Sequence, residues 1–461
     1  MNKTIILLIV AFVMFMEAID TTIINTAIPV MAQSFKVNPV HLKLALISYL
    51  LSLAIFIPIS GWLADKFGAK NIFMTAIIIF TLSSIWCGFT DNLFELIIAR
   101  FIQGLGGSIT MPVGRLIIIR TCEKHELISK LSIVVMIGAI GLMLGPVLGG
   151  LISNYFSWRW IFWVNAPIGL GTLLLANFLL PAMPARVVPQ LDKIGFILFG
   201  SSLALLTYSF ASFSETRLSD IRSILTISMA IALLILYSWH SQNKAHPIVK
   251  IHLLSIRTFR VSIIGNFICR IGFGGIPFLL PLLLQVSLNY SPQTSGLLLA
   301  PTALGVLIVK PIAVYILRLL GYKKILILNT FLVAAAIASF SFINEYSTIL
   351  NIAILTFCYG FLISLQYTSM NSIAYANVLS EDLSSATSIM STVQQLSQSF
   401  GVAIAAILLN LFQVSHAANP LLTVETLHYT FIAMGCITCL SLLIFGQLKK
   451  EDGQELIQAP T

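Results

Sequence analysis

Long apolar runs recur from one end of this chain to the other, and they carry almost no charge. Residues 72–89 and 224–237 contain no acidic or basic side chain at all. About 20 apolar residues in a helix span a bilayer, and inside hydrocarbon only helices and closed barrels satisfy their own backbone. A barrel alternates polar and apolar residues over roughly ten-residue strands. These runs do not alternate, so they are helices. Only 9% of the 461 residues are charged and 58% are hydrophobic, against about 25% and about 45–50% in a soluble domain. That is too little charge to cover a water-facing surface. Soluble enzymes, disordered chains and secreted disulfide scaffolds are excluded, leaving an all-α, polytopic membrane protein.

Candidate spans fall near 5–31, 43–62, 72–90, 94–114, 128–151, 161–180, 194–213, 224–239, 261–286, 295–317, 325–343, 347–372, 386–411 and 428–447. The first is longer than the core of a signal peptide and contains Glu17 and Asp20, so it reads as a retained span. With the N-terminus inside, the inner loops collect Lys66, Lys70, Arg120, Lys124, Lys244, Lys250, Arg257, Arg260, Lys323, Lys324, Lys449 and Lys450, among others. The outer loops hold only Lys36, Lys43, Arg159, Arg217 and Arg222. Positive residues stay inside, so both termini are expected in the cytoplasm. The net charge of +9 is this bias, and no basic stripe for nucleic acid is present. The longest inner loop, 240–260, alternates apolar and basic residues over 247–254 as an interfacial helix would.

Several strings carry chemistry. Gly61-Trp62-Leu63-Ala64-Asp65-Lys66-Phe67-Gly68-Ala69-Lys70 is a tight turn between packed helices. Asp65 is placed near the start of the next helix, where the dipole favours it, and can clamp a neighbouring helix; Gly61, Asp65, Gly68 and Lys70 are candidate gating residues. Gly138, Gly141, Gly145 and Gly149 recur at spacings of three and four, allowing close helix contact, and Pro146 weakens the local ladder. This stripe is a bending point or simply a tight interface. The loop string closely resembles the first inner loop of the major facilitator superfamily. Residues 20–29, 100–107, 141–150 and 158–169 resemble further motifs of its fourteen-helix drug:proton antiporters. Arg270 to Phe273, Pro277 to Pro281 and Lys310 resemble a bacterial branch named for multidrug resistance. The resemblance implies a major facilitator fold of two six-helix bundles plus two extra helices: 1–185, an insert and cytoplasmic linker over 186–260, and 261–461. The string Arg318-Leu319-Leu320-Gly321-Tyr322-Lys323-Lys324 echoes the first loop, with Arg318 in place of Asp65.

Charges at membrane depth need a reason, since each costs at least about 2.5–3.5 kcal/mol. Glu17 and Asp20 are three apart on one helical face, and in low dielectric two adjacent carboxylates do not readily ionise together. Both are proton-coupling candidates, Glu17 alternatively contacting a cationic substrate. The resemblance adds Arg100 as a buried base communicating with them; the alternative is an arginine bonding backbone carbonyls. Asn25, Gln103, Asn266, Arg270, Ser364, Tyr367 and Asn371 are candidate cavity residues, or interhelical glue. Arg270 is a lone charge expected to balance Asp20 or Glu17 across a cavity.

No P-loop or H-E-x-x-H motif occurs, and the histidines sit in loops or at helix ends. The cysteines form no disulfide framework. The chain is therefore expected to be no enzyme and to use no cofactor or metal, drawing on the proton gradient. Its expected partners are a small-molecule substrate, protons and the lipid bilayer of a bacterial inner membrane, with the chain a monomer. The expected activity is export of small amphipathic or cationic compounds by alternating access. An exporter of one native metabolite or siderophore is the alternative, and a membrane receptor or enzyme without transport a more distant one.

Overall fold

The apolar runs close into helices because hydrocarbon offers their backbones no other partner. The computed structural model describes residues 3–122, 127–213, 221–379, 382–413 and 422–456. Lys124 and Arg217 of the loop charges lie outside the described residues.

The chain divides into two units, residues 1–192 with 290–297, and residues 193–289 with 298–461. The first contains α1 (Lys3–Phe35), α2 (Lys43–Phe67), α3 (Ala69–Phe89), α4 (Leu93–Thr121), α5 (Leu127–Tyr155), the single turn α6 (Trp160–Trp163) and α7 (Asn165–Leu179). Within it α1 lies along α5, α4 packs on both α2 and α3, and α7 on α3. The second contains the hairpin α8 (Lys193–Phe213) and α9 (Ile221–Gln242), then α10 (Arg257–Gly274), α11 (Ile276–Leu282), most of α12 (Pro292–Ser339), α13 (Ile349–Ala374), α14 (Leu383–Gln413) and α15 (Val424–Phe445). Here α10 packs between α14 and α15, and α8 leans on α14. Side chains start several helices: Asn92 accepts from the Glu95 N–H at 2.9 Å and Thr423 from the Thr426 N–H at 3.2 Å.

Thirteen helical segments among the described residues are long and apolar enough to cross a membrane. One of them, Pro292–Phe342, has 51 residues. At about 1.5 Å per residue that is over twice the roughly 30 Å hydrocarbon core. It breaks at Gly321, with φ 75° and ψ 158°, so it supplies two limbs. Counting the limbs separately turns thirteen into the fourteen spans suggested by the sequence. Gly68, the corresponding residue of the first loop, also has positive φ, at 89°. The two loops thus share one backbone device as well as a string of residues.

Three local expectations are corrected. Asp65 lies in the last turn of α2, while α3 starts at Ala69. The dipole there disfavours an acid, and a neighbouring arginine offsets it. Lys43 is no loop residue but the first residue of α2, fully buried. The interfacial helix over 247–254 condenses to one 3₁₀ segment, Ile251–Ser255. Side chains tie the linker down. The Tyr237 hydroxyl accepts from the Val249 N–H at 2.8 Å, and Lys250 pairs with Asp382 at 2.7 Å.

Two outcomes follow from these joints. Gly68→Ala meets both a forbidden backbone region and the Met183 carbonyl oxygen, 2.6 Å from the added Cβ; Gly321→Ala meets only the backbone penalty. Each costs about 1–3 kcal/mol in strain, and thermal unfolding in detergent should rank Gly68→Ala as the more damaging. Separately, the hydrogen bond from Lys250 holds the Asp382 carboxyl below its usual range. A lowered folded pKa stabilises above the unfolded value and is lost as pH falls through the folded one. Limited proteolysis of the 243–256 linker should therefore accelerate below about pH 4, the ordinary carboxylate range, and Asp382→Asn should be fast already at neutral pH.

Candidate functional site

Two of the sequence-predicted residues of the first unit, Arg100 and Gln103, gather around the carboxylate of a third, Asp20. Asp20, midway along α1, is fully buried. Its Oδ2 accepts from Arg100 Nη1 at 2.6 Å. Its Oδ1 accepts from Gln103 Nε2 and from Asn165 Nδ2, both at 2.8 Å. Arg100 and Gln103 are three apart on α4 and so share a face; Arg100 Nη1 also donates to Gln103 Oε1 at 2.7 Å. Asn165, at the start of α7, donates in addition to Ser84 Oγ of α3 at 3.0 Å, and Ser84 donates to the Phe162 carbonyl at 2.9 Å. Residues of α4 and α7 thus converge on Asp20 of α1, with Ser84 of α3 joined through Asn165. The Arg100 guanidinium lies over the Tyr49 ring of α2, 4.2 Å from its centroid, a cation–π contact. Gly104 permits this: a Cβ there would come within 2.6 Å of the Tyr49 carbonyl oxygen. The charge is balanced and both Asp20 oxygens are engaged, while Arg100 Nε and Asn165 Oδ1 have no hydrogen bond among the described residues.

Arg100 therefore meets a carboxylate, not backbone carbonyls. Glu17 is buried one turn away and stays outside this set, its Oε1 without a hydrogen bond among the described residues. Asn25 is buried further along α1, also outside it. Asn165, Ser84 and Tyr49 were not singled out from the sequence. The available signal for Asn165 was its place in the 158–169 string, as one amide just before Ala166-Pro167.

The first loop forms a second cluster. Asp65 is ion-paired with Arg120 at the end of α4, and its carbonyl accepts from the Arg186 N–H at 2.7 Å. Lys70 Nζ donates to the carbonyls of Asn177 and Leu180 at 2.7 and 2.8 Å, capping the end of α7. Beside it lies a cavity of about 410 Å³ lined by Ile6, Arg120, Thr121, Met183 and Arg186, among others. Gly61 faces open space and takes no part. On α5, Gly141 faces the Phe15 carbonyl and Ala18, Gly145 faces Thr22, and Gly149 faces Ile23 and Thr26. Thr26 Oγ1 donates to the Pro146 carbonyl at 3.4 Å. The glycine face is thus seated on the helix that carries Glu17 and Asp20.

In the second unit Arg270 of α10 is 7% exposed. Its Nε donates to Asn266 Oδ1 at 2.5 Å, and its guanidinium lies over Tyr367 of α13, 4.0 Å from the ring centroid. Asn266 Nδ2 donates to Asn371 Oδ1 at 3.2 Å, and Gln394 of α14 donates to the same oxygen at 2.9 Å. Gln394 is a further residue the sequence did not single out. Ser364 stands apart, donating to the Val306 carbonyl of α12 at 3.1 Å.

The family model for the Major Facilitator Superfamily matches residues 10–241 and 262–458. A protein of Escherichia coli O6:K15:H31 (strain 536 / UPEC), provisionally named multidrug resistance protein MdtD, is 36% identical over 454 residues, 97% of this chain and 95% of that one. Among solved structures, an auto-inhibited POT family peptide transporter aligns with TM-score 0.70 at 14% identity, over 98% of this chain and 99% of that one. A D-xylose-proton symporter aligns with TM-score 0.69 at 15% identity over the same shares. At such identities these two likenesses concern the fold.

Removing one member of the buried pair should destabilise strongly. Arg100→Leu leaves Asp20 charged and unmatched, a cost of about 3–5 kcal/mol. Chemical denaturation in detergent should show that loss, and the double variant Asp20→Asn/Arg100→Leu should recover part of it.

Proposed function

The chain belongs to the Major Facilitator Superfamily, and from that premise we propose that it exports small amphipathic or cationic compounds in exchange for protons, by alternating access. It is an integral membrane transporter and not an enzyme. Supporting multidrug efflux is the name carried by its relatives. The charge asymmetry of the loops supports cytoplasmic termini, and the bacterial relatives support the inner membrane.

One observation carries the reading: a fully buried carboxylate, Asp20, whose two oxygens are held by Arg100, Gln103 and Asn165. Its charge is what holds the arginine. A proton arriving on Asp20 cancels that charge and takes an oxygen lone pair away from a donor. The grip between α1, α4 and α7 then loosens. Loss of the proton restores it. Proton binding and the spacing of these helices are thereby one equilibrium, which is what coupling means in physical terms. Glu17, one turn away with an unengaged oxygen, is suited to pass the proton on or to meet a cationic substrate. Within the second unit Asn266, Arg270, Tyr367 and Asn371 are proposed to meet the substrate, Asn25 of the first unit being a separate candidate for substrate contact, while Ser364 holds α13 to α12. The Asp65–Arg120 pair and Lys70 tie the first loop to the ends of α4 and α7, contacts that a gate makes in one state and releases in the other. The glycine face of α5 lets α1 move against it with little side-chain interference.

The proton gradient supplies the work, and no cofactor enters. One charge moving down about 100 mV is worth about 2.3 kcal/mol, enough for roughly a fiftyfold concentration ratio.

In everted vesicles with an imposed pH gradient, adding ethidium should dissipate the gradient through the wild-type protein. Asp20→Asn should lower that response about tenfold or more. Undiminished coupling in Asp20→Asn refutes the proton site.

A further inference from the structure

The second unit contains a buried cation with no counter-charge of its own. Residues 221–344, 346–380 and 383–424 include no Asp or Glu at all. Arg270 lies within the first of these segments, 7% exposed. Among the described residues its guanidinium makes one hydrogen bond, from Nε to Asn266 Oδ1 at 2.5 Å. The two terminal nitrogens have none. Of the neighbouring amide oxygens, that of Asn266 already accepts from Nε and that of Asn371 from both Asn266 and Gln394. Tyr367 covers one face of the guanidinium, 4.0 Å from its centroid. The plane is therefore fixed by a ring below and an amide at one edge, and the fork at the other end is presented empty. Arg100 in the first unit is the contrast: the same residue type, over a tyrosine in the same way, but closed by a carboxylate.

An arginine held rigidly with its terminal nitrogens free matches the two oxygens of a carboxylate. We propose that Arg270 receives a carboxylate, or a similar planar oxyanion, carried by the exported compound. The inference rests on the transport reading above and narrows it: among exported compounds, those that combine an anionic group with an aromatic or cationic part are preferred. Asn266, Asn371 and Gln394 act as positioning residues that hold the fork, and Tyr367 offers its ring to the aromatic part. The anion and the buried cation neutralise each other, so the loaded site is cheaper in hydrocarbon than the empty one.

The experiment compares rhodamine 19, a free carboxylic acid, with rhodamine 6G, its ethyl ester, which share one aromatic cation. Fluorescence anisotropy is read on the full chain in detergent. Wild-type protein should bind the acid about tenfold or more tightly than the ester, the scale of a charge-assisted pair. Arg270→Gln should weaken the acid alone and erase the difference, and Arg270→Lys should keep part of it. The acid, not the ester, should raise the thermal midpoint of the wild type. Equal affinity for acid and ester overturns the assignment. So does an Arg270→Gln variant that weakens both equally, which marks a merely structural arginine. Suppression of its defect by Glu17→Gln marks an internal ion pair and also overturns it. Displacement of the acid by phosphatidylglycerol but not by phosphatidylcholine assigns the anion to a lipid headgroup and does the same. Proton-coupled ethidium export that persists alongside any of these leaves the transport reading standing and removes only this one.

Discussion

An ion pair sealed in a low-dielectric interior is the constraint from which the first unit follows. Asp20 and Arg100 are each costly alone in hydrocarbon and more tolerable as a pair whose carboxylate oxygens are both engaged. That demand explains Gln103 and Asn165 around the carboxylate, Ser84 behind Asn165, and Tyr49 beneath the guanidinium. It also explains why α1, α3, α4 and α7 must meet at one depth. An arrangement in which every member needs the others switches sharply when a single proton enters it. In the proposed mechanism the same network is both a structural clamp and a sensor of protonation.

The two units solve related problems with different chemistry. Both loops turn at a glycine of positive φ, Gly68 and Gly321, and both units place an arginine over a tyrosine ring. The charges around these features differ. Asp65 of the first loop is answered by Arg120, whereas Arg318 stands at the equivalent place in the second. Asp20 closes Arg100, while Arg270 is surrounded by amides. The repeat keeps its backbone device while its charges have diverged.

Much of this was legible beforehand, and the failures are physical in origin. The spans were legible because hydropathy is a sum over many residues and survives local error. Asp20 and Arg100 were legible because a charge amid apolar residues is conspicuous. Asn165 and Gln394 were not, since an amide in a membrane helix is ordinary and its direction is set by neighbours. Asp65 was assigned to the wrong helix because Gly68, not the acid, breaks the chain. Ser364 shares a helical face with Tyr367 and Asn371 by spacing, yet it turns to the Val306 carbonyl, a choice between two partners that periodicity does not encode.

The sequence by itself determined that the chain crosses a membrane in helices, where its turns lie, and which side chains bear charge in oil. These follow from transfer free energies and backbone chemistry, which are local. Which donor reaches which oxygen, whether Glu17 joins Asp20 or stands apart, and that Arg270 has its fork open were decided only by tertiary structure. Hydrogen-bond separations between residues eighty or more apart in the chain, such as the 2.6 Å between Asp20 and Arg100, arise from how helices pack, and packing is a property of all of them at once.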